Sequence, residues 1–330
     1  MLNSDAKLNH NIFSRHIDEA PTRDGFGKGL LEAGSEKNVI ALSADLEEST
    51  RCHWFAKVYP ERFIECGVAE QGMVTIAAGL AISGKIPFVN SYANFCPGRT
   101  WEQVRTTACY NNANVKIAGH HAGISVGPDG ATHQATEDIA IMRALPNMKV
   151  IVPCDAIEAQ KAVVSSTQIY GPMYLRFQRE KTPIMTTKET PFVFGKAYPM
   201  WISSGKNIDV LIISAGPIIY NALLAAKELE REKIKTVVLN SHTIKPLDEK
   251  EILKWAKKTG AVVTVEEHNI IGGLGGVVSE LLSEKMPTPL ERVGIKDVFG
   301  ESGQPEELIK KYHLDVKDVI SAVKKVIKRK

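Results

Sequence analysis

The chain has 330 residues, of which 44% are hydrophobic and 24% charged, a composition typical of a globular protein large enough for two domains. The formal net charge is only +3, which argues against a nucleic-acid-binding surface. The apolar runs are shorter than the roughly 20 residues that cross a membrane, so no span is expected. The five cysteines form no C-x-x-C pair, which favours free thiols, no metal site and a reducing, cytoplasmic location.

Helices and strands are predicted to alternate along the first half of the chain. An amphipathic helix is predicted around residues 11–33, followed by helices near 67–83, 99–112, 136–145 and 155–168. Apolar, β-rich runs predict strands at 39–45, 85–92, 114–121, 148–153 and 173–178. Because helices separate apolar strands of this length, we expect a parallel sheet with helices on both faces.

The alternation stops at residues 180–206, which are rich in Lys, Thr and Pro, and then resumes. Strands are predicted at 209–216, 235–243, 261–268 and 291–295, with helices between them and two terminal helices. The sequence therefore predicts an α/β fold of two domains: residues 1–185, then a linker with an edge strand at 186–206, and a smaller α/β domain at 207–330.

Glu70, in GVAEQGM, lies in the first turn of an Ala- and Gly-rich predicted helix. A glutamate at that position usually interacts only with the helix dipole. Here the following segment, VTIAAGLAIS, is small and apolar, so Glu70 is predicted to be a lone acid beside a buried face. Burial raises the pKa of a carboxyl group, which makes Glu70 a candidate acid/base residue.

A second polar cluster lies in HHAGISVGPDGATHQ, which contains His121, Asp129 and His133 in a glycine-rich loop after a predicted strand. Such residues are often only surface turn residues. The spacing H-x(7)-D-x(3)-H does not match common zinc sites. Ligands of parallel α/β proteins bind at the carboxyl ends of strands, so this loop is predicted to form a polar active site.

Several segments resemble the transketolase family. GVAEQGM, NSYANF and above all GPDGATHQATEDIAIMRALPNMKV resemble its pyrimidine-binding domain, and KTVVLNSHTIKPLD and VTVEEHNIIGGLGG resemble its C-terminal domain. The family includes deoxyxylulose-5-phosphate synthase and, more distantly, the beta subunits of 2-oxo-acid dehydrogenases. The resemblance covers essentially the whole chain and implies a fold of the thiamine-diphosphate-binding type.

The resemblance implies residues that bind thiamine diphosphate. Glu70 matches the glutamate that hydrogen-bonds N1′ of the aminopyrimidine and so promotes deprotonation of the thiazolium at C2. Phe95 matches the ring that stacks on the pyrimidine, and Tyr92 matches a second aromatic residue of that pocket, although strand-end packing would also explain both. Asp45, in LSADL, matches an aspartate that lines the cofactor site near the subunit interface.

The resemblance also implies residues that bind a sugar-phosphate substrate. His121 and Asp129 match residues that contact hydroxyl groups of a ketose donor, and His133 matches a histidine beside the reacting carbonyl. Both histidines are expected to handle protons on donor and acceptor hydroxyl groups, so the implied catalytic residues are Glu70, His121 and His133. Three residues match anchors of a substrate phosphate: Arg23, Ser49 and Arg179. The planar, permanently charged guanidinium suits phosphate, although surface ion pairs are the usual role of single arginines.

One part of the family pattern is missing. The family binds Mg²⁺ and the cofactor diphosphate through a GDG motif followed by an asparagine, and here Pro128 precedes Asp129 and no such motif follows. Full transketolases are also about twice as long as this chain. The resemblance therefore implies the C-terminal subunit of a split transketolase. Its partner, the N-terminal subunit, would provide most of the Mg²⁺ site. The two subunits would form a heterotetramer in which two copies of this chain contact each other.

The implied reaction is the transfer of a two-carbon ketol unit between sugar phosphates, as in the pentose phosphate pathway. Deoxyxylulose-5-phosphate synthase chemistry is an alternative, but its pattern has Asp-Arg where this chain has His121 and Ala122. A 2-oxo-acid dehydrogenase beta subunit is a second alternative. A regulatory homologue without catalysis is a third, against which stands the presence of Glu70, Phe95 and His133 together.

Overall fold

The structure, a computed structural model, describes residues 1–205 and 207–330. The strands are β1 (Glu19–Ala20), β2 (Val39–Ser43), β3 (Phe63–Glu65), β4 (Ile86–Tyr92), β5 (Lys116–His120), β6 (Lys149–Ile151), β7 (Met173–Arg176), β8 (Thr182–Pro183), β9 (Tyr198–Ile202), β10 (Val210–Ser214), β11 (Thr236–Asn240), β12 (Thr243–Lys245), β13 (Val262–Asn269) and β14 (Leu290–Ile295). The α-helices are α1 (Thr22–Ala33), α2 (Glu47–Thr50), α3 (His53–Val58), α4 (Glu70–Ile82), α5 (Trp101–Gln103), α6 (Asp138–Arg143), α7 (Ala156–Ser166), α8 (Ile219–Arg231), α9 (Glu249–Thr259), α10 (Leu274–Lys285), α11 (Pro305–Lys311) and α12 (Val316–Ile327).

The first domain contains a sheet in the order β12-β6-β7-β5-β4-β2-β3, parallel except for the edge strand β12. Alternate residues of β2 belong to different apolar clusters. Val39 packs with α1 and α7 on one face, and Ile40 packs with α4 on the other. Helices thus cover both faces, and the predicted parallel sheet is confirmed.

The second domain is a smaller α/β unit with strand order β14-β13-β10-β11-β9, in which only β9 is antiparallel. Helices also cover both faces of this sheet, α8 and α12 on one face and α9 and α10 on the other. Leu211 and Ile213 of β10 share an apolar cluster with Ile40 and Val89 of the first domain. The two domains are therefore packed through one continuous core, although the predicted boundaries at 185 and 206 stay predictions.

Two predicted helices differ from the structure. The helix predicted at 11–33 begins only at Thr22, because Pro21 precedes it in an extended conformation and cannot lie inside a helix. Residues before Pro21 instead form β1, which pairs with β8. The helix predicted at 99–112 is irregular, because α5 covers only Trp101–Gln103 and Val104–Cys109 is π-helical. In the segment before it, Asn94–Arg99, Cys96 has a non-helical backbone. Across residues 1–205 and 207–330, no helix is long and apolar enough to cross a membrane.

The first domain contains a buried ion pair whose arginine also contacts the second domain. Arg176 Nε donates to Asp138 Oδ2 at 2.8 Å, and Tyr174 donates to the same oxygen at 2.6 Å. Burial raises the pKa of Asp138, but the Arg176 guanidinium outweighs it and holds that pKa below its usual value. Arg176 Nη2 also donates to the backbone oxygens of Ala135, at 3.3 Å, and Glu267, at 2.9 Å. One guanidinium therefore joins β7, the loop before α6 and the second domain.

Replacing Arg176 by Met should lower the free energy of unfolding by about 3–5 kcal/mol, because it leaves the Asp138 carboxylate buried without its cation. Urea denaturation measures this change. Arg329→Met is the control, since Arg329 pairs with Glu291 while half-exposed and should cost about 0–1 kcal/mol. Equal losses in the two variants would contradict the importance of the buried pair.

Candidate active site

Glu70 is held by the packing of the helix that it begins. Its side chain is only 3% exposed and shares the buried face of α4 with Met73, Val74 and Ala77. Oε2 accepts a hydrogen bond from Arg99 Nη1 at 2.9 Å. Oε1 makes no hydrogen bond to any residue in the described part of the chain, so one carboxylate oxygen is left for an outside donor.

The ion pair between Arg99 and Glu70 contradicts one sequence prediction. Glu70 was predicted to be a lone acid, and this is wrong, because the Arg99 guanidinium forms an ion pair with it. The same guanidinium lies 4.8 Å from the centre of the Phe95 ring. No local pattern predicts this contact, because Cys96 between Phe95 and Arg99 has a non-helical backbone. Half of the Arg99 side chain is exposed, so it forms the outer edge of the site.

Four rings meet at the carboxyl ends of neighbouring strands. Tyr92 ends β4 and His121 follows β5, and their rings stack with centres 4.1 Å apart. The Phe95 ring stacks 5.7 Å from that of Tyr92. His133 meets Phe95 edge-on at 5.4 Å, and its Nδ1 lies 2.9 Å from Thr132 Oγ1. Residues from three separate segments thus form one aromatic wall.

The His121 ring, which is part of this wall, is neutral. It is buried, and its backbone has a φ of 54°. Burial, together with the Arg23 guanidinium, lowers the pKa of His121 to about 3. Arg23 Nη1 lies 2.9 Å from Nε2 of His121, so Nε2 is the acceptor and Nδ1 carries the hydrogen. That Nδ1 is buried and has no hydrogen-bond partner in the parts of the chain the structure describes.

Positive charge is concentrated beside His121. Arg23 Nη1 also donates to the backbone oxygen of Ser49 at 3.1 Å. Burial, and then repulsion from Arg51, lowers the pKa of Arg23, although Asp24 opposes this shift. Arg51 pairs with Asp24, and Arg179 pairs with Asp129 and Glu180. Arg23 forms no ion pair among the described residues and its buried Nε has no partner there, so a bound anion would pair with Arg23.

The remaining predicted residues lie at the edges of this arrangement. Arg179 Nη1 donates to Asp129 Oδ1 at 3.0 Å, and each side chain is about one-third exposed. The contacts of Asp45 are different, since its backbone N–H donates to Glu65 Oε1 at 2.8 Å and its φ is 58°. The described residues Arg23, Ser49, Tyr92, Phe95, His121 and His133 are therefore connected through direct contacts, whereas Asp45 has no such contact with them.

The residues present fit the pyrimidine half of a cofactor. A half-buried Phe95 ring lies beside a buried carboxylate that has one oxygen without a partner among the described residues. They do not fit the metal half. No group of three or more His, Cys, Asp or Glu side chains within 1–205 and 207–330 could hold a metal ion.

Comparison with known families identifies the chain. The pyrimidine-binding domain of transketolase matches residues 18–185, and the transketolase C-terminal domain matches residues 202–319. The chain belongs to the transketolase family. The family resemblance and the fold class predicted from the sequence are thereby confirmed. Proteins of this family generally use thiamine diphosphate and a divalent metal.

Similar proteins are also single subunits. A 6-deoxy-6-sulfo-D-fructose transketolase subunit of Clostridium sp. (strain MSTE9) is 39% identical over 96% of this chain and 98% of its own length. An apulose-4-phosphate transketolase subunit of Phocaeicola vulgatus is 38% identical over 93% and 97%. A solved structure described as a split gene transketolase, inactive beta4 tetramer, superimposes with a TM-score of 0.86 at 44% identity, covering 93% and 98%. The chain is thus a split subunit of this family.

Replacing His121 by Asn should make stability less sensitive to acid. The His121 pKa is about 3 in the folded chain, against an ordinary value of 6.5, so the unfolded chain binds more protons between these values. Stability conferred by the neutral ring is therefore lost as the pH falls below 6.5. Between about pH 4 and 6, the free energy of unfolding should therefore fall less steeply with decreasing pH in the variant than in the wild type, by up to about 1.4 kcal/mol per pH unit.

Urea denaturation at several pH values measures this slope. His242→Asn is the comparison, because burial also lowers the pKa of His242 to about 3, in the second domain. A slope that falls in the His242 variant but not in the His121 variant would show that the His121 ring is not held neutral.

Proposed function

We propose that this chain is the catalytic C-terminal subunit of a two-chain transketolase that transfers a two-carbon ketol unit between sugar phosphates. It works with thiamine diphosphate and with an N-terminal partner subunit. The observation that carries the proposal is the Glu70 carboxylate, buried at the start of α4 beside the Phe95 ring, with Oε1 unpartnered among the described residues.

On the cofactor side, the bound group would supply the electron sink that makes cleavage of a carbon–carbon bond beside a carbonyl accessible. Glu70 holds a proton with N1′ of the aminopyrimidine through Oε1, while Arg99 keeps Oε2 occupied. Phe95 stacks on the pyrimidine, and Tyr92 supports Phe95 from β4. Asp45 lines the cofactor site at the edge that faces the partner subunit.

On the substrate side, His121 donates a hydrogen bond from Nδ1 to a hydroxyl group of the ketose. Because its pKa is about 3, it stays neutral near pH 7 and orients the substrate without transferring a proton. Asp129 accepts from a further hydroxyl group. His133, whose ring lies against Phe95, moves a proton at the reacting carbonyl. Of the two histidines expected from the sequence to handle protons, only His133 keeps that role in this proposal, and His121 orients the substrate.

The phosphate group of the substrate binds to Arg23, Ser49 and Arg179. Arg23 forms no ion pair among the described residues, which supports an anionic ligand there, whereas Arg179 already pairs with Asp129 and Glu180. By their names, the two relatives described above act on different sugars. In this proposal, the choice of sugar is therefore made by residues around these anchors.

The partner subunit supplies the Mg²⁺ and diphosphate half of the site. The sequence lacks the GDG motif with its asparagine, and the 44% identical split transketolase is described as inactive when it is a beta4 tetramer. Both observations support a complex in which this chain is inactive alone. Two copies of each subunit, with a contact between copies of this chain, form the proposed heterotetramer.

Replacing Glu70 by Gln should abolish most catalysis while the complex still assembles. Glutamine keeps the shape of the side chain but cannot exchange the proton at N1′. Loss of such a group typically lowers the rate by about 10²–10⁴-fold. The measurement is hydrogen–deuterium exchange at cofactor C2 in the reconstituted complex, with wild type and variant compared at saturating cofactor.

Glu102→Gln is the matched control, since it makes the same change on an exposed acid of α5. Exchange should remain at the wild-type rate there. If the Glu70 variant also exchanges at that rate, Glu70 only begins a helix, and the proposed active site is wrong. Sizing of both complexes confirms that assembly is intact.

The isolated chain should bind thiamine diphosphate weakly, and the two-subunit complex should bind it tightly with Mg²⁺ present. The physical reason is that residues 1–205 and 207–330 contain no carboxylate cluster for the metal that bridges the diphosphate. Calorimetric titrations of the chain alone, of the complex, and of the complex without Mg²⁺ test this. Submicromolar binding by the chain alone would refute the split site.

A further inference from the structure

A cavity of about 310 Å³ lies between the two domains, away from the aromatic wall described above. Its base is formed by Ser125, Gln178 and Glu267, which are all buried. Its walls come from the segment between β10 and α8 and from α11. The volume is that of a site for a small molecule.

The cavity lies at the topological switch point of the second sheet. The chain leaves β10 through α8 to β11 on one side, whereas β13 pairs with β10 on the other side. In open α/β sheets, ligands bind outside the carboxyl ends of strands where the connections diverge in this way. Pro217 and Ile218 follow β10, and Glu267 lies near the end of β13, so both sides of the switch point line the cavity.

The base of the cavity is rich in hydrogen-bond acceptors. Glu267 is 4% exposed, and its carboxylate accepts from the Ser125 N–H at 2.8 Å and from the Gln178 amide. Glu267 forms no ion pair among the described residues, and burial raises its pKa although Arg176 and the bonds from Ser125 and Gln178 oppose the shift. The Ser125 hydroxyl lies beside the carboxylate but, among the described residues, makes no hydrogen bond of normal geometry.

Apolar walls and acidic charge surround this base. The walls include Pro217, Ile218, Pro305 and Ile309. The charged lining residues are the acids Glu180, Glu267, Glu306 and Asp315 and the bases Lys181 and Lys310. Glu180 pairs with Arg179 and Asp315 caps α12, so the preference for a cationic ligand with an apolar part rests on the buried carboxylate of Glu267 and not on the overall charge of the lining.

We propose that this cavity binds a small organic cation, with a primary ammonium on Glu267 and the Ser125 hydroxyl and a short apolar body against Ile218 and Ile309. The ammonium supplies the donors that the acceptor-rich base lacks. The site is separate from the proposed transketolase site and does not depend on its chemistry.

The ligand would act on the active-site loop. The Glu267 carboxylate packs against Gly123, where even a Cβ atom would collide with it, and it holds the Ser125 N–H. Gly123 follows His121 by two residues and has a φ of 86°. A cation on Glu267 therefore restrains the backbone that carries His121, which gives the cavity a regulatory role.

Titration of the full chain with n-butylammonium, by saturation-transfer NMR and calorimetry, tests the site. The neutral n-butanol is the ligand control, and it should bind at least about 10-fold more weakly. Glu267→Gln should weaken n-butylammonium binding by about 10- to 100-fold, and Ser125→Ala by about 2- to 10-fold. Hydrogen–deuterium exchange of residues 122–135 should slow when the cation binds to the wild type.

Ile309→Trp fills the cavity from α11 and should abolish binding, while Glu307→Trp places the same ring on the exposed side of that helix and should not. Thermal melts check folding, and the Ser125 and Ile309 variants decide the matter if Glu267→Gln is unstable. Absence of n-butylammonium binding to the wild type, equal binding of n-butanol, or unchanged binding in Ile309→Trp overturns the proposal. None of these measurements uses cofactor or partner, so their failure is distinct from a failure of the transketolase function.

Discussion

The buried pair of Asp138 and Arg176 is the interaction on which the rest of the structure depends. Two opposite charges out of water are stable only when hydrogen bonds offset their lost hydration. Arg176 has partners from three segments, including the backbone oxygen of Glu267 in the second domain, although Asp138 Oδ1 has no partner among the described residues. Separating the domains would remove the Glu267 backbone oxygen as an acceptor for this guanidinium. The second domain is therefore part of what holds the loop before α6, and with it His133, in place.

The site combines two kinds of support. Rigid strands bring Tyr92 and His121 together, because β4 and β5 are parallel neighbours that end at the same edge of the sheet. Glu70 instead depends on a helix whose apolar face is packed against that sheet. The proposed cofactor would lie between them. In this proposal the chain contributes residues of the pyrimidine side, and its described residues contain no group of three or more His, Cys, Asp or Glu side chains that could hold a metal ion.

Sequence patterns predicted most of the first sheet and of the second. Buried strands that are apolar on both faces, such as β2 and β10, have a strong local signal. Short elements were missed. β12 is only three residues long, and it crosses from the second domain to pair with β6, so its pairing has no local cause. The early start predicted for α1 was wrong because apolar periodicity continues through Pro21, although the helix begins only after that proline.

The sequence by itself determined the family, the fold class and which side chains could carry chemistry, because those depend on residue identity and on spacing within single segments. Only the tertiary structure decided their electrostatic state. Burial and Arg23, which is 98 positions away, make His121 a neutral ring, and Arg99 gives Glu70 an ionic partner. Likewise, Glu267 and Ser125 are 142 positions apart and meet only because two domains pack together. Charge and pKa depend on distances and on exclusion of water, and a linear pattern contains neither.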